Sequence, residues 1–264
     1  MTTIRLGTDV PGKPLQVVLV HGAFSEGSYW RRVLRILTAN GVHGSAAQVN
    51  VLGFEADVDA LRRHLDARAD ADVLLVGHSY GGALISEVSA DNPQVKGLVY
   101  VAAAAPVAGV PFSHFMAEHP SFYRSNPILD CHGRLWLRPE DCVNGLGHDL
   151  PEDDARMLYA VQKPVAAAAF DDVATREGWR TKPCWYLVTE ADRMFDPDSQ
   201  RLLARTMNAV TRSVDSGHMV ALSQPGAVAA IITEAIESLS ATGCMPAVTE
   251  SAEAIIDERL LFYR

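Results

Sequence analysis

The chain has 264 residues, of which 48% are hydrophobic and 21% are charged, a composition typical of a globular protein. That length suffices for one large α/β domain or two small ones, and no break in the first 240 residues resembles a linker. The formal net charge of −9 argues against nucleic acid or an anionic membrane as partner, because both bind basic patches. We expect a small-molecule partner, and the sequence leaves homo-oligomerisation open.

Cysteine usage and the chain start favour a cytoplasmic location. Residues 1–5 lack the apolar core of a signal peptide, and no apolar run reaches membrane-spanning length. Four cysteines occur without C-x-x-C spacing, as expected for reduced thiols: Cys131, Cys142, Cys184 and Cys244. One Cys/His group matches no common zinc signature: Cys131, His132, Cys142 and His148. No Gly-rich nucleotide loop occurs either, so we expect neither a metal nor a cofactor.

Apolar strands alternate with amphipathic helices through the first 105 residues. The predicted strands are 15–20, 48–51, 73–76 and 95–102, and the predicted helices are 29–39, 55–68 and 83–90. This alternation is typical of a parallel sheet covered by helices on both faces. Ligands of such sheets bind at the carboxyl ends of the strands. The loops that begin at His21 and at Gly77 are therefore expected to share one edge.

The strand 73–76 leads into Gly77-His78-Ser79-Tyr80-Gly81 and then into a helical run. The G-x-S-x-G pattern alone arises by chance in roughly one chain in ten of this size. A buried strand before it and a helix after it make it a nucleophile elbow, with the serine on a strained turn between small neighbours. We expect Ser79 to be a catalytic nucleophile; the alternative is a Gly-rich turn with a satisfied hydroxyl.

The alternation stops after residue 105 and resumes near residue 181. Residues 106–180 are rich in proline and aromatic residues and predict short helices, such as 153–162, rather than strands. We interpret them as a helical cap over the sheet edge; the alternative is a second small domain. Strands 183–189 and 211–214 and helices 198–207 and 224–239 complete the core, which comprises 1–105 and 181–240. Residues 241–264 form a C-terminal extension that could hold one more helix over 251–263.

A serine hydroxyl needs a base, and the base needs an orienting acid. His218 alone of nine histidines follows a strand in the last third and precedes the final helix, so we expect it to be the base. His21 and His78 adjoin the site but sit beside glycine turns. The candidate acids are Glu190, Asp192, Asp196, Asp198 and Asp215. Asp192 fits best, because it lies three residues past a strand in a loop that can reach the imidazole.

The oxyanion of a tetrahedral intermediate needs two backbone N–H donors. The N–H of Tyr80, directly after the nucleophile, is one candidate. The loop after the first strand should supply the other, and Ala23 fits best. The alternative for His21-Gly22 is an ordinary turn at the end of a strand.

Taken together, residues 13–240 resemble the α/β-hydrolase superfamily, and within it the small cofactor-free esterases similar to plant methylesterases and hydroxynitrile lyases. The matching stretches are V-H-G-A at 20–23, G-H-S-Y-G-G at 77–82, V-T-E-A-D at 188–192 and G-H-M-V-A-L-S-Q-P at 217–225. The resemblance implies an α/β-hydrolase fold, a mostly parallel sheet with an inserted cap. It also implies Ser79, Asp192 and His218 as triad and Ala23 and Tyr80 as oxyanion donors.

Two positions separate the branches of that family. Hydroxynitrile lyases have Thr after the first-loop histidine and Lys after the catalytic histidine, where this chain has Gly22 and Met219, as in the methylesterase-like branch. The sequence therefore predicts a serine hydrolase that cleaves a small carboxylic ester or thioester through an acyl-serine. A lyase acting through the same triad and a ligand-sensing protein with little turnover remain alternatives.

Overall fold

The computed structural model describes residues 13–119 and 121–241. Six parallel strands form one sheet in the order β2-β1-β3-β4-β8-β9. These strands are β1 (Leu15–Val20), β2 (Gly44–Ala47), β3 (Asp72–His78), β4 (Val95–Val101), β8 (Cys184–Thr189) and β9 (Val210–Val214). The helix suggested for 251–263 and the first residues of the chain lie outside the described residues.

The four inner strands are apolar on both faces, as parallel strands covered on both sides must be. The side chains of Val17–Val20 in β1 and Val73–Val76 in β3 are fully buried. Their register places Val20 opposite Gly77, so β1 and β3 end at the same edge. The loops that follow them carry the residues expected to form the site.

Helices cover both faces of this sheet. The α-helices of the α/β part are α1 (Arg31–Ala39), α2 (Phe54–Asp66), α3 (Tyr80–Ser89), α7 (Pro197–Thr206), α8 (Val220–Ser223) and α9 (Pro225–Ala241). Leu61 of α2 and Leu84 of α3 pack into the core on one face. Leu37 of α1 and Ile232 of α9 pack into the core on the other. No helix in the described part of the chain is both long and apolar enough to cross a lipid bilayer.

The second strand lies earlier than the sequence predicts. Residues 48–51 form a loop, and the strand is Gly44–Ala47, with Val17 paired to Gly44. The prediction was wrong because Val49 and Val51 are buried, but their N–H groups bond the side chains of His21 and Asp57 and not a strand of the six-stranded sheet. The G-S-A-A sequence of β2 carries no strand-like hydrophobic pattern.

Residues 106–180 contain strands as well as helices, so the expectation of helices alone was wrong. The α-helices of this segment are α4 (Phe112–Glu118), α5 (Pro139–Asp141) and α6 (Glu152–Val161), and short 3-10 and π turns lie between them and after them. Three strands of two or three residues form an antiparallel sheet: β5 (Ile128–Leu129), β6 (Arg134–Trp136) and β7 (Val165–Ala166). Such short pairings leave no periodic signal in a sequence. The division into core, cap and extension stays a prediction.

Candidate active site

Ser79 occupies the sharp turn between β3 and α3. Its φ of +53° and ψ of −123° are unusual for a residue with a side chain, and such strain is concentrated at functional sites. Backbone bonds hold the turn, because the Ser79 carbonyl accepts from the N–H groups of Gly82 and Ala104, each at 3.0 Å. A Cβ on Gly81 would lie 2.5 Å from the Val20 carbonyl oxygen, so only glycine lets α3 approach β1 this closely. The Ser79 side chain lines a cavity.

His218 follows β9 and lies against the acid expected for it. Its Nδ1 is 2.8 Å from Oδ2 of Asp192, in the loop after β8. The exposed fractions of the two side chains are 7% and 0%, so water screens this pair only weakly. The arrangement leaves Nε2 as the ring atom available to accept a proton.

Four further donors hold the Asp192 carboxylate. Oδ1 accepts from the backbone N–H groups of Met194 and Phe195 at 2.8 and 2.9 Å. Oδ2 also accepts from the Thr189 hydroxyl at 2.8 Å and the Gln200 amide at 3.0 Å. Burial by itself raises the pKa of Asp192, but His218 and these hydrogen bonds outweigh it and hold that pKa below its usual value. The acid is thus ionised wherever a neutral imidazole could act as base.

The other candidate acids have different partners or none near the histidine. Asp196 caps α7 by accepting from the Ser199 N–H at 2.9 Å. Glu190 and Asp198 both pair with Arg201. Asp215 is exposed. Asp192 is the candidate acid that the structure brings to His218.

Ser79 and His218 line the same cavity. In the described chain, no hydrogen bond joins the Ser79 hydroxyl to the imidazole or to any other group. Catalytic hydrogen bonds are often long before substrate binds and tighten in the reacting complex. Rotation about one side-chain bond of Ser79 reorients the hydroxyl within nanoseconds.

The two expected oxyanion donors also border this cavity. Ala23 and Tyr80 both line it, and neither backbone N–H donates to another group within residues 13–119 and 121–241. Tyr80 is the first residue of α3, where N–H groups lack helical partners and the helix dipole favours an anion. Unpaired donors at a cavity that also holds a serine hydroxyl can bind a developing oxyanion.

His21 fixes the direction of one of these donors. Its Nε2 accepts from the Val49 N–H at 3.3 Å, so its Nδ1 carries the proton and donates to the Gly22 carbonyl at 2.9 Å. The Gly22–Ala23 peptide is trans, so the Ala23 N–H points away from the held carbonyl. Burial lowers the pKa of His21 to about 4, which keeps the ring neutral in this role.

His78 contacts His218, the expected base. Its Nε2 donates to the His218 carbonyl at 2.9 Å, and its ring lies 4.7 Å from the His218 ring, centroid to centroid. Burial holds the pKa of His78 well below its usual value, so this ring is neutral as well. A neutral imidazole therefore links the turn of Ser79 to the loop that carries His218.

The cavity is lined by apolar side chains apart from three residues. Ser79, Tyr80 and His218 are the polar ones, and none of the lining residues is Asp, Glu, Lys or Arg. Five phenylalanines border it: Phe24, Phe112, Phe115, Phe170 and Phe195. The empty space between the lining side chains, including the open mouth, is about 920 Å³. The chemistry of the lining favours a neutral, apolar ligand.

Several supporting residues have no signal in the sequence. The Tyr80 hydroxyl donates to Asp57 at 3.0 Å, and the other oxygen of Asp57 accepts from the N–H groups of Asn50 and Val51. Asp57 and Gln200 both lie on amphipathic helices, where polar residues are ordinary. Only tertiary contacts reveal that they hold the site.

The cysteines of the Cys/His group at residues 131–148 differ in their surroundings. Cys131 is exposed and Cys142 is buried, and burial raises the pKa of the Cys142 thiol to about 12. Among the residues that the structure describes, no group of three or more His, Cys, Asp or Glu side chains is placed to hold a metal ion.

Comparison with known proteins identifies relatives. A pyrethroid hydrolase of Sphingobium wenxiniae is 30% identical over 146 residues, which are 50% of this chain and 50% of that protein, so the chain spans about half the length of this curated relative. A pFDCC methylesterase of Arabidopsis thaliana is 24% identical over 251 residues, covering 85% of this chain and 95% of that one. The structure of an extracellular alpha/beta-hydrolase from a Paenibacillus species superimposes with a TM-score of 0.72 at 18% identity, over 84% of this chain and 99% of that chain.

The fold seen here and the resemblance to plant methylesterases agree with these findings. The sequence profile of the alpha/beta hydrolase family matches residues 17–231, which include the loops that carry Ala23, Ser79, Asp192 and His218. The chain belongs to the alpha/beta hydrolase family.

Proposed function

We propose that this protein is a carboxylic ester hydrolase that acts through an acyl-serine on Ser79. The observation that carries the proposal is the buried Asp192–His218 pair at the cavity that also holds the elbow serine. The names of the relatives, a pyrethroid hydrolase and a methylesterase, support ester hydrolysis.

In the proposed reaction, the Ser79 oxygen attacks the ester carbonyl carbon while its proton passes to Nε2 of His218. Asp192 stabilises the imidazolium that forms, across the 2.8 Å hydrogen bond to Nδ1. The carbonyl oxygen becomes an oxyanion and accepts from the N–H groups of Ala23 and Tyr80, each of which is worth about 100- to 1000-fold in rate. His218 then returns the proton to the leaving alcohol.

A water molecule completes the cycle. His218 takes a proton from the water, whose oxygen attacks the acyl carbon, and the carboxylic acid leaves as Ser79 regains its proton. These steps use only side chains and backbone groups of this chain, so the proposal needs no cofactor.

The cavity narrows the substrate class to neutral esters with apolar groups on both sides of the carbonyl. No charged side chain of the lining could pair with a substrate carboxylate or ammonium, and an unpaired buried charge costs several kcal/mol, as a rough figure. The carboxylate product meets the same penalty, which favours its release.

A lyase reaction finds no support at the two positions that separate the branches. A Cβ on Gly22 would lie 2.7 Å from the Ser79 Cβ and 3.1 Å from Nδ1 of His78, so the threonine of the lyase branch does not fit this loop unshifted. Met219 is 2% exposed, packs in the core and does not line the cavity, so no cation stands where a departing cyanide would need one.

The test combines a covalent probe with a graded substrate series. We expect a fluorophosphonate to label Ser79 and the protein to hydrolyse nitrophenyl esters from acetyl to decanoyl, with the neutral longer chains preferred over a succinyl ester. The Ser79→Ala variant should lose labelling and turnover, while Ser121→Ala, at an exposed serine, should keep both. A folded protein that neither labels nor turns over oxygen esters or thioesters, or that releases cyanide from mandelonitrile instead, would refute the proposal.

A further inference from the structure

The loop that carries His218 runs from Asp215 to Met219, between β9 and α8. Two of its anchors come from the core of the site. The Ser216 carbonyl accepts from the Ala191 N–H at 3.1 Å, and the His218 carbonyl accepts from His78. Neither anchor binds the N–H of Gly217, the residue directly before the base.

The third anchor comes from the segment 106–180. Oδ2 of Asp149 accepts from the Gly217 N–H at 2.7 Å and from the Ser216 hydroxyl at 3.0 Å. A bond from N–H to carboxylate at this distance is charge-assisted and about twice as strong as a neutral one. The Ser216 hydroxyl also lies 2.6 Å from the Ser223 hydroxyl on α8, so the contact spans both ends of the loop.

The Asp149 side chain also packs closely against Gly217. A Cβ on Gly217 would lie 2.5 Å from Oδ1 of Asp149 and 2.6 Å from Cε1 of His148, so the carboxylate lies directly against the backbone of the loop. A larger residue at position 217 would force the Asp149 carboxylate and the His148 ring to shift.

Within the described part of the chain, one oxygen of the same carboxylate lacks a hydrogen bond, which lowers the stability of the folded protein. Oδ1 of Asp149 is buried and has no hydrogen-bond partner among the described residues. An unpaired buried polar atom costs about 1–3 kcal/mol, which a residue selected for stability alone would avoid. Local costs of this kind are expected at functional sites.

We propose that Asp149 is a positioning residue that sets the backbone of the loop so that His218 faces Ser79. The inference rests on the proposed function of the Ser79 site. Asp149 touches no reacting atom; it acts through Gly217 and Ser216 on the imidazole. Leu146, three residues before it, lines the cavity, so one segment both covers the substrate and holds the base.

The two substitutions at Asp149 separate positioning from stability. Asp149→Asn keeps one oxygen that can accept from Gly217 and Ser216, but it places an NH₂ group where Oδ1 has no partner. Asp149→Ala removes both hydrogen bonds. We expect the Asn variant to lose thermal stability yet keep kcat within about threefold, while the Ala variant loses about 10- to 100-fold in kcat with KM within about threefold.

The experiment measures kcat and KM for nitrophenyl butyrate, the rate of fluorophosphonate labelling and the melting temperature for each variant. Ser216→Ala should lie between wild type and Asp149→Ala in kcat, and it keeps the inference testable if the Ala variant does not fold. Asp153→Ala, at an exposed carboxylate of the same segment, is the matched control and should match wild type.

The inference would be overturned if kcat fell in proportion to the melting temperature across all variants, with Asp149→Asn as slow as Asp149→Ala. It would also be overturned if only KM changed. Asp149→Ala with wild-type kcat would do so as well. These outcomes are distinct from failure of the proposed function, in which wild type itself neither labels at Ser79 nor turns over ester.

Discussion

Replacing Asp192 with Asn should remove most of the activity while leaving the shape of the site unchanged. The carboxylate accepts five hydrogen bonds, three at Oδ2 and two at Oδ1. An asparagine offers one oxygen and one NH₂ group, so in either orientation it places a donor against donors. Placed toward Oδ1, the NH₂ faces the N–H groups of Met194 and Phe195; placed toward Oδ2, it faces His218.

The second orientation keeps the two backbone bonds and is the one we expect. The NH₂ group then donates to Nδ1 of His218, which forces the proton onto Nε2, and a protonated Nε2 cannot take the proton of Ser79. In serine proteases this wrong tautomer lowers kcat by about 10⁴. A factor of that size is about 5.4 kcal/mol of transition-state stabilisation, since each tenfold in rate is about 1.36 kcal/mol.

Stopped-flow hydrolysis of a nitrophenyl ester by Asp192→Asn gives kcat, and urea unfolding shows whether the variant is folded. Asp196→Asn is the matched control, because Asp196 lies in the same loop but caps α7. It should lose at most about 1 kcal/mol of stability and none of its kcat. A folded Asp192→Asn protein with kcat within tenfold of wild type would show that Asp192 does not orient the base.

Three further predictions test the surroundings of the triad. Tyr80→Phe removes the hydroxyl that donates to buried Asp57 and should lower the free energy of unfolding by about 1–3 kcal/mol in urea titrations. The variant keeps the backbone N–H of residue 80, so its kcat should stay within about threefold of wild type. The pKa of Asp192 is lower in the folded protein than in the unfolded chain, where it is about 4. The stability that the ionised carboxylate contributes is therefore present above about pH 4 and is lost as the pH falls through the folded pKa. We expect the difference in melting temperature between wild type and Asp192→Asn to shrink from about pH 6 to about pH 3. Met116 lines the cavity and is half-exposed, so a charged side chain at this position could stay in contact with water. Met116→Lys should therefore lower KM for a succinyl ester relative to a butyryl ester, and Met116→Gln should not.

Apolar runs made most of the fold predictable. The strands β1, β3, β4 and β8 each contain a hydrophobic run, and their predicted positions agree with the structure to within two residues at each end. The second strand was misplaced because G-S-A-A has no such run and is defined only by its pairing with β1. At this edge strand, the hydrophobic pattern of the sequence and the hydrogen-bonded residues therefore lie at different positions.

The predicted site residues meet at one sheet edge, but their supports could not be predicted. The choice of Asp192 rested on its distance from a strand, and the structure places it against His218. Gln200 and Asp149, which hold Asp192 and the loop of His218, lie 8 and 67–68 residues from the groups they bind, and no spacing rule connects them. Contacts of this kind are set by tertiary packing, which a single sequence does not show.

Three imidazoles surround the elbow, and the structure gives them different roles through their partners. His21 and His78 bind backbone carbonyls, neither hydrogen-bonds a carboxylate of the described residues, and burial keeps both neutral. His218 alone among them has a buried carboxylate at Nδ1. In a cavity without other charged side chains, an imidazolium is expensive unless a carboxylate is paired with it. In the proposed mechanism, His218 is therefore the ring that accepts the proton of Ser79, and the two neutral rings hold the loops that carry Ala23 and His218.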